Sequence, residues 1–377
     1  MLINADEQVF NILEKSFLAP ILEQESITDI SFNGTQLYVQ DNIKGRSLAE
    51  HQPTKEEVFT LGKRIADLQG KEFAVNEPIL DTELSYLRVN FVHPVVSPSG
   101  TTFSIRISKP RLAIQDIDGL ANQDVSKLLE VLIRADMNVI ISGQTGSGKT
   151  EVQKLLVNFI DEDRKITLIE DTQDSHIKEL YPNMDINSWR TLSDQSRANK
   201  VDYRKLIKAG LRNNPNWLII AETRGDEAYD MLESALTDHS IITTIHATEA
   251  KKIPSRLLGM IGQKYQVNEL LIGKDIADTL KIGIYMGIKM TEEGIKRFIR
   301  EIVEFTDFTD RGVTCNTIYQ VKKRFNPTTR LYEEYCETKP LSDKTLDNLH
   351  YKEVYHELPE AYKQGETEGA MSSAVSV

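Results

Sequence analysis

Gly143-Gln144-Thr145-Gly146-Ser147-Gly148-Lys149-Thr150 is the stretch that decides how this chain folds. The apolar run Asn138-Val139-Ile140-Ile141-Ser142 leads into it, and a helical pattern from Glu151 to Ile160 leaves it. Strand, glycine-rich loop, helix is the context in which a phosphate-binding loop works. Glycines let the backbone curl until its N–H groups point inward at phosphate oxygens. The helix that follows adds the positive end of its dipole. The lysine reaches the outer phosphates, and the hydroxyl after it is a Mg²⁺ ligand. Gly143, Gln144, Thr145, Gly146, Ser147, Gly148, Lys149 and Thr150 are therefore expected to hold a nucleotide, with Thr150 on the metal.

Outward from the loop, strands and helices alternate. Strands are expected at Val139–Ser142, Ile166–Glu170, Trp217–Ala221 and Ile241–His246, with helices over residues 121–136 and 226–236 and helical or irregular chain over 202–213. Such alternation implies a mostly parallel sheet with helices on both faces. Ligands of these sheets sit at the carboxyl ends of the strands, where Glu170, Glu222 and His246 fall. Trp217-Leu218-Ile219-Ile220-Ala221-Glu222 is an apolar strand ending in a carboxylate. A phosphate-loop hydrolase needs one acid there to hold Mg²⁺ through water or to polarise the attacking water. Glu170 and Asp171 end a second such strand and could assist. His246, with His239 just upstream, could sense or donate to the γ-phosphate; on spacing alone both are as readily packed or surface residues. Asn199-Lys200-Val201-Asp202 has the form that GTP-binding proteins use to read guanine, but no apolar strand precedes it, and it is read as coincidence.

Before the loop, residues 7–22 carry apolar residues at helical spacing and predict one amphipathic helix. Ile27–Phe32 and Gln36–Gln40, joined by Asn33-Gly34, predict a hairpin. A helix is expected over Thr54–Gln69, and strands over Tyr86–Val92 and Thr101–Ser108. Residues 1–108 thus form a smaller N-terminal α+β domain. Residues 109–120, with Pro110 and Gly119, are a linker; 121–362 are the phosphate-loop domain; 363–377 are small, polar and expected to be a disordered tail. In the last part of the domain, 270–286 is expected to end in a strand, and 297–305 and 315–322 to be strands. The balance of 45 basic to 57 acidic residues gives a net charge of −12, which argues against direct sequence-specific nucleic-acid binding. Two cysteines are too few for a disulfide scaffold or a tetracysteine zinc site. The polar start and the lack of any long apolar run predict no signal peptide and no membrane span.

At this point the motifs resemble a family: the secretion, conjugation and pilus traffic ATPases of bacteria and archaea. Gly143–Thr150 carries its loop form, Ile169-Glu170-Asp171 resembles its aspartate box, and Glu222-Thr223-Arg224-Gly225-Asp226-Glu227-Ala228 its hydrolysis motif. Thr237-Asp238-His239 with Thr243-Thr244-Ile245-His246-Ala247 resembles its histidine box. Pro78-Ile79-Leu80-Asp81, Arg88-Val89, Pro94, Ser97, Gly100 and Ile105-Arg106 follow the type IV secretion and tight-adherence pilus branch. The resemblance implies a RecA-like fold and a homohexamer at the cytoplasmic face of the membrane, with ATP and Mg²⁺ held between the N-terminal and C-terminal domains. It implies inner-membrane secretion or pilus components as partners, a coupling ATPase among the candidates. Arg88 and Arg106, by themselves ordinary strand-face charges, become arginines that meet the phosphates; Arg212 and Arg224 are weaker candidates. Glu222, Lys149, Glu170, His246 and His239 fill the catalytic roles. Asp238 stands where the family has glycine before His239, Ala221 where it has glycine before Glu222, and Asp174 where a Glu is usual. A DNA-pumping motor of the same core and a low-turnover regulatory subunit are the rival expectations.

Overall fold

In the computed structural model, residues 5–84, 86–192 and 201–363 are described, and they divide into two compact units. The first unit comprises residues 1–110 with Lys289–Lys296, the second residues 111–288 with 297–377.

The first unit begins with α1 (Ala5–Leu13) and α2 (Ala19–Leu22). The single helix expected over 7–22 is therefore two. Pro20, which has no N–H to continue a helix, stands in the first turn of α2. Between the two, Ser16 Oγ donates to Leu13 O and accepts the Leu18 N–H. Strands β1 (Ile27–Phe32) and β2 (Leu37–Asp41) form the expected hairpin. Asn33 Oδ1 closes its turn by accepting the N–H groups of Thr35 and Gln36, and Gly34 takes φ 93°. β3 (Gly45–Leu48), α3 (Lys55–Leu68), β4 (Ile79–Leu84), β5 (Leu87–Val92) and β6 (Thr102–Ile107) complete the unit. α3 starts at a capping box: Thr54 Oγ1 accepts the Glu57 N–H, and Glu57 Oε2 accepts the Thr54 N–H at 2.7 Å. The sheet runs β3-β2-β1-β6-β5-β4, antiparallel throughout. Alternation along it is clean. Leu87, Val89, Phe91, Phe103, Ile105 and Ile107 are buried in a core shared with α3, while Arg88, Asn90, Ser104 and Arg106 take the other face.

The second unit is built on one sheet in the order β15-β14-β13-β12-β7-β11-β10-β8-β9. Its elements in chain order are α4 (Gln123–Arg134), β7 (Val139–Gly143), α5 (Lys149–Val157), β8 (Ile166–Glu170), α6 (Ile177–Leu180), β9 (Ile186–Arg190), α7 (Tyr203–Leu211) and β10 (Trp217–Ile220). There follow α8 (Glu227–Leu236), β11 (Ser240–Ile245), α9 (Ile253–Gly262), α10 (Glu269–Thr279), β12 (Ile282–Thr291), β13 (Gly294–Thr309), β14 (Gly312–Asn326), β15 (Leu331–Thr338) and α11 (Asp343–Tyr351). From β12 through β7, β11, β10 and β8 to β9 every pairing is parallel. β13, β14 and β15 extend the sheet, the last two pairings being antiparallel. The central strands are buried on both faces. In β7 Val139 and Ile141 join a core with α4, α5 and α11, while Ile140 joins the core of α8, α9 and α10. Residues 109–120 hold no helix or strand. Residues 364–377, expected to be disordered, lie outside the described residues. So do Asn199 and Lys200 of the guanine-like motif; its Asp202 caps α7, accepting the Lys205 N–H at 3.0 Å. No helix among the described residues is long and apolar enough to cross a membrane.

Candidate active site

Parallel register brings four strand ends to one edge of the large sheet. Ile245 pairs with Ser142, and Ile220 with both Thr243 and Ile169. Gly143, Glu170, Glu222 and His246 consequently emerge side by side at the carboxyl ends of β7, β8, β10 and β11. The loop leaves β7 through three residues with positive φ: Gly143 (151°), Gly146 (79°) and Gly148 (92°), the last capping α5. At Gly143 space forbids a side chain as well, since a Cβ would lie 2.6 Å from Ser147 Oγ and 2.9 Å from Met286 O. Ser147 is buried, and its Oγ has no partner. Lys149 is buried too, and its Nζ turns back onto the loop, donating to Gly143 O at 3.0 Å and Gln144 O at 3.2 Å. Burial pushes the pKa of this ammonium down, Glu222 opposes that, and Arg224 adds to it. A curled loop of glycines, an orphaned buried hydroxyl and a lysine parked on carbonyls fit a group that brings phosphate oxygens. Thr150 is half-buried at the start of α5.

Glu222 is gripped from two sides. Arg224 donates to Oε2 at 2.7 Å, and His246 Nε2 stands 3.0 Å from Oε1 without the alignment of a hydrogen bond. Glu227 folds back to accept the N–H groups of Arg224 and Gly225, which fixes the turn after Glu222. Glu170 is 1% exposed and accepts the Ser175 N–H at 3.0 Å. Burial raises its pKa to about 7, which Ser175 moderates. Thr191 bonds the neighbouring Asp171.

His239 is a different case. It precedes Ser240, which opens β11 in register with Trp217, the first residue of β10. It therefore stands at the amino edge of the sheet, and within the chain it is not brought to the loop, where a catalytic residue was expected. A six-residue strand spans roughly 20 Å, beyond the reach of an imidazole. Its Nδ1 lies 3.2 Å from Thr237 Oγ1 and 3.3 Å from Ser234 O. It lines a cavity of about 450 Å³ with Asp136, Asn138, Arg164, Asn216 and Asp238. Asp238 itself has φ 68°. Asp is among the few residues other than glycine that tolerate such a conformation. Arg212 follows α7 close to Asn214 on this same edge, so it too is not brought to the loop.

In the first unit Arg88 and Arg106 are direct cross-strand partners on the polar face of the sheet. Like charges so placed repel. Arg106 Nε is held by Asp29 Oδ1 at 3.1 Å, and Glu83 lies opposite Arg88. Sequence reasoning overlooked Arg297, on β13, whose Nε donates to Gly146 O at 2.8 Å.

A parallel sheet flanked by helices, with a phosphate loop between strand and helix and an acid on a nearby strand end, defines the RecA-like P-loop class, here with an additional N-terminal domain. Residues 76–315 match the family model described as type II/IV secretion system protein, and the chain belongs to that family. An uncharacterized protein of Bacillus anthracis is 33% identical over 360 residues, 92% of this chain and 78% of its own. The type IV secretion system protein VirB11 of Brucella suis is 24% identical over 283 residues, 67% of this chain and 78% of its own. Among solved structures, the ATPase DotB of Legionella pneumophila superposes with a TM-score of 0.57 at 19% identity, over 74% of this chain and 77% of its own. That likeness shows the fold.

Proposed function

We propose that this chain hydrolyses Mg·ATP at Gly143–Thr150 and, as a homohexamer, powers a membrane-associated type IV secretion, conjugation or pilus-assembly machine. The observation that carries the proposal is the carboxylate of Glu222, half-buried at the strand end beside the loop and held by Arg224 and His246. A Glu so fixed can take a proton from water as that water attacks phosphorus. Arg224 and His246 hold it in place from two sides. Lys149 and the loop N–H groups hold the phosphates. Glu170, partly protonated near neutral pH, orients water or assists the metal, and His246 senses the γ-phosphate. Arg88 and Arg106 are the proposed phosphate-meeting arginines.

Among the described residues no group of three or more His, Cys, Asp or Glu is arranged to hold a metal on its own. That suits Mg²⁺ arriving on the nucleotide, since this ion binds through one or two protein oxygens plus phosphates and waters. Thr150 is its proposed ligand, and the ion supplies neutralisation of phosphate charge. The relatives named as secretion-system proteins support the membrane-machine part of the reading, with inner-membrane components and a coupling ATPase as proposed partners. A location at the cytoplasmic face of the membrane follows from those partners. The net charge of −12 disfavours the DNA-pumping alternative. Asp238, the feature behind a low-turnover regulatory reading, lies on the other edge of the sheet.

Glu222→Gln separates binding from chemistry. The variant should bind a fluorescent ATP analogue within about threefold of wild type while steady-state phosphate release falls by roughly 10²–10⁴. Wild-type turnover in Glu222→Gln would sink the assignment.

A further inference from the structure

Arg297 lies near the start of β13, two strands from β7, yet it touches the loop twice. Its Nε donates to Gly146 O at 2.8 Å, and its Cδ stands 3.3 Å from where a Cβ on Gly148 would be. The aliphatic stem thus packs on one left-handed glycine while the donor takes the carbonyl of the other. We propose that Arg297 is a positioning residue for the phosphate loop: by holding the Gly146 carbonyl it fixes the peptide plane whose opposite side carries the Ser147 N–H. In a planar trans peptide the C=O and the next N–H point in opposite directions, so anchoring one aims the other. The Ser147 N–H now meets only Gln144 O, at 3.3 Å, a long bond that a better acceptor displaces at little cost. Fixing the plane before nucleotide arrives lowers the ordering cost of binding. This rests on the loop being the nucleotide site argued above. It adds that part of the affinity is set by a side chain that acts on the loop backbone.

Chain chemistry offers a clean separation. Glutamine Nε2 lies as many bonds from Cα as arginine Nε, so Arg297→Gln keeps a donor at the same reach and loses the charge. Arg297→Lys keeps the charge and puts a methylene at that place. Arg297→Ala loses both. The dissociation constant of a fluorescent ADP analogue should stay within about threefold of wild type in Gln and weaken roughly tenfold in Lys and Ala. Hydrogen exchange at residues 144–149 in the nucleotide-free protein should quicken in Lys and Ala and not in Gln. Binding that survives in Lys and is lost in Gln would overturn the proposal in favour of a direct charge contact with phosphate. Unchanged affinity and exchange in all three would overturn it as well. The Gln and Lys pair decides even if Ala fails to fold. If wild type itself does not bind the analogue, the nucleotide reading fails separately, and exchange in the nucleotide-free chains still decides whether Arg297 orders the loop.

Discussion

The two edges of the large sheet carry similar side chains and do different things. Each has a histidine from the same short stretch, His246 at the carboxyl edge and His239 at the amino edge, and each has acids and a basic group. At the amino edge the carboxylate of Asp136 is already met by two bases. Lys352 donates to Asp136 at 2.6 Å, Arg164 lies 3.7 Å from it, and His239 leans on Thr237 and Ser234. Asp136, Asn214 and Asp238, each just past the C-terminus of a helix, have φ of 58°, 50° and 68°. That edge is where helices end and turn into strands. At the carboxyl edge polar groups are left in wait: Ser147 Oγ without a partner, Lys149 on backbone carbonyls, and Glu170 with its pKa raised to about 7. A difference in unmet demand, more than in composition, marks the edge where chemistry is expected.

The largest effect that would break this comparison lies in the loop. Lys149→Ala should weaken binding of a fluorescent ATP analogue by at least about 100-fold, since a buried charge-assisted contact to phosphate is lost. Arg164→Ala, at the amino edge, should leave it within about twofold. Equal losses in titrations of the two variants would mean that the edges are not functionally distinct.

A smaller effect sharpens the comparison through pH. Glu170 ionises at about 7 in the folded chain against 4.5 when exposed. Its raised value means that the folded state holds the proton more tightly than the unfolded one. The associated stability is present in full below about pH 4.5 and is lost as pH rises through about 7, to the extent of about 3 kcal/mol. Glu170→Gln, which can still accept the Ser175 N–H, removes that loss. Thermal unfolding should show the variant more stable than wild type at pH 8, with the gap closing toward pH 5. A gap that widened on acidification would reverse the sign and contradict the burial argument.

Much of this was legible in the chain. Gly143–Thr150 and the strand ending at Glu222 announce themselves because a fully buried parallel strand is a continuous apolar run, and an acid at its end is conspicuous. What escaped has physical reasons. β3, β4, β9 and β15 are short or half-exposed, so their patterns, such as the alternation of Ile79–Leu84, are diluted by polar residues. The helix over 7–22 parts after Leu13, where Ser16 Oγ takes up Leu13 O and the Leu18 N–H and Pro20 opens a new first turn, features that periodicity alone does not weigh. His239 and His246 sit in one motif, and only the direction of β11 tells that they part. Arg297 reaches Gly146 through packing across strands distant in sequence, which no local pattern encodes.

The comparison of edges is tested most directly by steady-state ATP turnover of the assembled protein carrying His246→Ala beside the same protein carrying His239→Ala. His246 stands 3.0 Å from Glu222, and His239 a full strand away. The account predicts a fall of about tenfold or more for His246→Ala and a change of less than about twofold for His239→Ala. The reverse order, or an equal fall in both, would contradict it.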